Sequence, residues 1–131
     1  CTKERKPRFY FQVEVGYMKI PVLLIAPRFL KTISWVVDIV AITLYPFIIS
    51  REEMSEDVLN HESIHIAQQK ELFVVFFYLL YGWDYLRGFI KFRDKELAYY
   101  RIRFEQEAYA QMMNKHYLDN RKPYSWRKYK V

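Results

Sequence analysis

From Phe9 to Val15, apolar and polar side chains alternate: Phe9, Phe11, Val13 and Val15 against Tyr10, Gln12 and Glu14. A period of two belongs to a half-buried strand, and Gly16 can end it. Met18 to Ala26 is a second apolar stretch, punctuated by Pro21 and Pro27. Pro27 can open a short helix with Phe29, Leu30, Ile33 and Val37 on one side. Val40 to Ile49 is rich in β-branched and aromatic residues and reads as one strand. Pro46 within it points to a sheet edge, because proline cannot donate to the ladder. Beyond residue 50 the pattern turns helical. Ser55, followed by Glu56 and Asp57, is an N-cap with acids in the first turn. A helix should run from there through Val58, Leu59, Ile66 and Leu72. A second, apolar helix should cover Val74 to Phe92, with Gly82 and Gly88 allowing close packing or a break. Charged residues from Lys91 to Glu96 mark a turn, and a third helix should span roughly Arg103 to Tyr117.

These elements predict an α+β fold: a small, mostly antiparallel sheet packed on the helix after Ser55, with two further helices completing the core. The chain of 131 residues shows no internal repeat and no dividing linker, so one domain over 1–131 is expected. Residues 1–8 read as a basic arm and 120–131 as a basic aromatic tail, solvated or docked on a larger assembly. Hydrophobic residues make up 52% and glycines number 3, which excludes disordered and collagen-like classes. The single cysteine, Cys1, excludes an intrachain disulfide.

Lys and Arg number 21 against 15 Asp and Glu, a net charge of +6. That balance admits an anionic partner: a lipid surface, nucleic acid or an acidic protein. The tail could hold phosphates by charge and bases by stacking, but no nucleic-acid fold motif accompanies it, so nucleic acid is not expected. No uncharged run is longer than Leu72 to Trp83, which is too short to span a bilayer as a helix. Asp38 and Pro46 interrupt the stretch from Ile33 to Ser50. Both stretches, including the aromatic run Phe73 to Tyr81, read as buried core, with shallow membrane contact as the alternative. Cys1 reads as a processed start, the edge of a fragment, or the acylated first residue of a mature lipoprotein. The expected location is accordingly cytoplasmic or membrane-associated.

The chemistry concentrates at Asn60-His61-Glu62-Ser63-Ile64-His65, an HExxH motif holding two of the three histidines. On a helix, positions four apart lie one turn above each other on one face, so both imidazoles can reach one zinc ion. Glu62 stands where its carboxylate meets a water held by the metal rather than the metal itself, the place of a general base. A catalytic zinc needs a third protein ligand. Glu71 and Gln68 break the continuation HExxHxxGxxH, which excludes a metzincin. His116 lies near a helix end among Lys115 and Tyr117 and reads as structural or solvated. The remaining source is an acid on a later helix, Glu105 or Glu107.

HExxH with a later helix bearing E-x-E-A resembles the gluzincin pattern of thermolysin-like and membrane-associated CAAX-type peptidases. His61 to Gln69 also resembles the HExxHxxQQ signature of small bacterial metallopeptidase-like domains. Those domains share a T-L-Y-P-F strand before the helix and an F-E-x-E-A-Y segment near the end, so the likeness covers roughly Ala41 to Gln111. The resemblance implies a zincin-like fold and a zinc ligand three residues before the alanine. That is Glu105, with Glu107 as the alternative ligand or a supporting group. It also implies an edge strand, Val40 to Ile49, that pairs with an extended peptide substrate. Tyr109 stands where gluzincins carry the Asp that orients a ligand histidine. Glu107, Asp84 or a backbone carbonyl must then take that part. Tyr99, Tyr100 and Arg101 are candidates to stabilise a transition state. The expected activity is zinc-dependent peptide hydrolysis. The alternative is a non-proteolytic accessory or structural subunit of a larger, membrane-associated assembly that keeps the fold.

Overall fold

The computed structural model describes residues 9–10, 14–15, 18–19, 23–25, 41–50 and 54–131. The described residues are α+β, with helix predominating. The chain divides into two compact units, Cys1–Met54 and Ser55–Val131. The arm 1–8 and the helix expected from Pro27 lie outside the described residues.

The first unit holds strands β1 (Phe9–Tyr10), β2 (Glu14–Val15), β3 (Met18–Lys19), β4 (Leu23–Ile25), β5 (Ala41–Leu44) and β6 (Phe47–Ser50). Antiparallel β2 and β3 form a two-stranded ribbon. The other four form a sheet in the order β1-β4-β6-β5, in which only β4 and β6 run parallel. The stretch expected as one strand is instead a hairpin, with Thr43 opposite Ile48 and Leu44 opposite Phe47. Pro46 sits in the turn, after a cis Tyr45–Pro46 bond. Proline thus ends a strand here rather than marking an edge, although β5 is an outer strand among those described.

The second unit begins with helix α1 (Glu56–Phe92), followed by α2 (Lys95–Tyr100), α3 (Arg103–Gln111), α4 (Tyr117–Asn120) and a 3-10 turn at Ser125–Lys128. The Ser55 side chain accepts from the Val58 amide, as its N-cap position requires. Two expected helices meet within α1 at Phe73, whose backbone is non-helical with φ 51° and ψ 138°. The glycines do not make this break. Gly82 has open space around it, whereas Gly88 packs so closely on Ala98 that an added Cβ would meet its Cα at 3.2 Å. The His65 and Phe77 rings lie 6.1 Å apart. A continuous helix would separate those residues by about 18 Å along its axis. The second arm, 74–92, therefore bends back towards the first, 56–72.

Arg93, in the left-handed conformation, ends α1, and Asp94 caps α2 by accepting from the Leu97 amide at 2.8 Å. The helix expected over Arg103 to Tyr117 stops at Gln111. Phe77, Ile102, Phe104 and Trp126 form the core of this unit. Two expectations are corrected here. The tail is neither a solvated extension nor left to dock elsewhere: Trp126 is buried against Phe104, with ring centroids 4.8 Å apart. The aromatic run from Phe73 is not a buried helix. Phe77 is buried, but Phe73, Val75, Phe76 and Leu79 are all exposed. One face of the arm satisfies the packing of this small unit, and the rest of its apolar surface finds no neighbour there.

Candidate metal site

His61 and His65 lie one turn apart on the first arm of α1, and Glu105 lies in the first turn of α3. All three are buried. His61 Nε2 is 3.1 Å from His65 Nε2 and 3.2 Å from Glu105 Oε2, and His65 Nε2 is 3.2 Å from Glu105 Oε1. Ligands at tetrahedral angles, 2.0–2.1 Å from a zinc ion, are about 3.3 Å from one another. Each imidazole meets a different oxygen of the Glu105 carboxylate, and a buried His61, His65 and Glu105 group whose donor atoms lie within 4.8 Å of one another could bind a metal ion.

Gln68 fixes how His65 presents itself. Its Nε2 donates to the Phe104 carbonyl at 3.2 Å and to Glu107 Oε2 at 2.9 Å. Its Oε1 lies 2.7 Å from His65 Nδ1 and can only accept. Nδ1 therefore carries a proton, and Nε2 is the nitrogen turned to the cluster. The group that holds His65 Nδ1 is thus a glutamine three residues along the same helix, not Glu107, Asp84 or a backbone carbonyl.

Glu107 is a support and not part of the cluster. Its oxygens accept from Gln68, from Tyr117 Oη at 2.8 Å, and from Arg121 at 2.6 and 3.2 Å. Asp84 is also fully engaged elsewhere. It accepts from Arg103 Nε at 2.7 Å and a second guanidinium nitrogen at 2.8 Å, and from the Arg103 amide. Asn60 ties the first arm of α1 to the end of α3, donating to the carbonyls of Gln111, Met112 and Asn114.

Tyrosines surround Glu105. Tyr81 Oη donates to Glu105 Oε1 at 2.7 Å. Tyr99 hydrogen-bonds Glu105 and Tyr109, and the Tyr109 ring meets His61 edge-on at 4.5 Å. Burial, joined by the Glu105 charge, holds the Tyr99 hydroxyl far above its usual range and that of Tyr109 at about 12. Both are O–H donors at neutral pH. Tyr100 is more exposed and packs on Tyr109, 5.2 Å between centroids. Arg101 lies away from this group, over the Phe92 ring at 5.7 Å. His116 is exposed beside Asp119. Glu62 is buried, outside the three-ligand group, and its charge acts on His65.

Burial alone would lower the His65 pKa. The charge and hydrogen bond of Glu105, the Glu62 charge and the Gln68 bond outweigh it and hold the group at about 9. Burial would likewise raise Glu105, but the two histidines hold it well below the usual carboxylate range. A raised histidine contributes stability in full below its unfolded value near 6.5 and loses it as pH rises through about 9. A depressed carboxylate contributes above its unfolded value near 4.5 and loses that as pH falls. Metal must displace the His65 proton, so the stability it adds grows with pH. Thermal midpoints of chelator-treated protein should therefore fall from pH 6.5 to 9, while the gain on adding zinc rises. Parallel profiles with and without zinc would mean that the two do not compete for one site.

Sequence reasoning gave no supporting role to Asn60, Tyr81, Gln68 or Arg121, although Gln68 stands in the HExxHxxQQ pattern. Only Gln68 carried a readable signal, its i+3 spacing from His65. Comparison with protein-family models, with curated proteins and with solved structures finds no match.

Proposed function

We propose that this chain is a zinc-dependent metallopeptidase of minimal, zincin-like design, with His61, His65 and Glu105 as metal ligands and Glu62 as general base. The observation that carries the reading is the convergence of two imidazole nitrogens and a carboxylate at 3.1–3.2 Å in a buried setting. Three ligands of the type N, N, O with a fourth position left for water are the donor set of a hydrolytic zinc site, and such a metal supplies Lewis acidity and an acidified water. Softer metals favour thiolates, which this cluster lacks.

The protein groups divide the remaining work. Glu62, next to a ligand on the same helix, accepts the proton of the attacking water and passes it to the leaving amine. Tyr109, held protonated with its ring against His61, is a donor for the oxygen on which charge develops. Gln68 holds His65 in the tautomer that turns Nε2 to the cluster.

Glu62→Gln separates hydrolysis from metal binding. It keeps the side-chain shape and removes the base. Hydrolysis of an unfolded protein or a peptide library should fall at least roughly a hundredfold, the order of effect of removing a general base, with zinc content unchanged. An inactive wild type that holds zinc would overturn the peptidase reading and leave a metal-bearing accessory subunit.

A further inference from the structure

The second arm of α1 has two faces. Phe77, Asp84 and Gly88 are buried on one. On the other, Val75, Phe76, Leu79, Trp83, Leu86 and Ile90 are between 48% and 68% exposed. At 100° per residue these six fall within an arc of about 100° and run for about 22 Å. An unbroken apolar stripe of this size is an interaction surface. Within α1 an 18-residue stretch is apolar enough, by length and composition, to enter a membrane, and only 17% of it is buried.

Charge decides what covers the stripe. From Leu72 to Arg93 the chain holds a single acid, Asp84, and it is buried against Arg103. Arg87, Lys91 and Arg93 are exposed cations at one end of the stripe; Arg87 follows immediately beside it around the helix, and Lys91, about 60° past its edge, donates to the Val131 carbonyl. A second copy docking by this arm would bring cations and apolar groups with no exposed acid from the same arm to answer them. An anionic lipid surface answers both: acyl chains take the stripe, headgroups take the cations, and the long Arg and Lys stems reach up to them. Trp83 suits the boundary between the two.

We propose that the outer face of residues 74–92 is an in-plane docking surface for an anionic membrane, independent of whether the metal site hydrolyses anything. The test is sedimentation of the full chain with phosphatidylcholine vesicles, with and without phosphatidylserine. Wild type should pellet with the anionic vesicles, less so at high salt, and remain in solution with the neutral ones. Arg87→Glu with Lys91→Glu should weaken binding roughly tenfold or more. Leu79→Glu with Leu86→Glu should abolish it, with circular dichroism showing that helix content is kept. Equal binding to neutral vesicles, or binding unchanged by the charge reversal, overturns the proposal. So does a wild type that ignores vesicles and is a dimer in buffer, made monomeric by Leu79→Glu with Leu86→Glu. If the leucine variant misfolds, the charge reversal alone decides.

Discussion

Zinc should stay with the wild-type chain and leave His61→Ala. After incubation with the metal and desalting, wild type should hold close to one zinc per chain. The variant should bind on the order of a hundredfold more weakly or worse, because one of three protein ligands is gone. The geometry makes this sharp. His61 Nε2 lies within 3.2 Å of both other donors, so its loss removes a corner of the site and not a neighbour of it. Alanine also leaves Glu105 with only one of its two histidine partners, beside Tyr81 and Tyr99. Equal zinc in the two proteins would place the metal elsewhere. No zinc in either would make the three groups a buried hydrogen-bond cluster, and the peptidase reading would fall with it.

Arg121→Ala should be the most destabilising single change outside the hydrophobic core. The guanidinium side chain is 4% exposed and serves two carboxylates, Glu107 and Glu71. Removing it strands Glu107, itself fully buried, without a counter-charge. Breaking a buried pair from one side costs about 3–5 kcal/mol. In a unit of this size that lowers Tm by more than about 10 °C. Adding Glu107→Gln should recover part of the loss, since the stranded charge goes with it. A shift of only about 2 °C for Arg121→Ala would mean that water already reaches the pair. The site should feel the same change, because Glu107 holds Gln68 and Gln68 holds His65.

The start of the long helix and the shared face of its two histidines were legible because both rest on spacing. Ser55 announces the start of α1, and the i, i+4 histidines share a face by helical geometry alone. Glu105 was reached through a family pattern, and its register survives in the structure as a position within hydrogen-bonding distance of both histidines. The hairpin at Tyr45–Pro46 was not legible as a turn, since its flanks read as continuous β-branched sequence. Arg121 was counted as one more basic residue in a tail. Nothing local distinguishes a cation that will be buried between two acids from one left in water. The exposure of the second arm was missed for a related reason. An aromatic-rich helix looks like core until the amount of protein available to cover it is known.

Phe73 gives the chain one place where helical phase is not inherited. Within either arm of α1, a single inserted residue turns everything beyond it by 100°. In the first arm, an insertion between His61 and His65 would carry one imidazole off the cluster. In the second, an insertion before Tyr81 would take its hydroxyl from Glu105 and turn Trp83, Leu86 and Ile90 out of the apolar stripe. At Phe73 the two arms meet through a backbone that is already out of the helix, and the rotation of one against the other is set by packing instead of by counting. Length changes in this protein are therefore best accommodated at Phe73, and strict spacing is required on both sides of it.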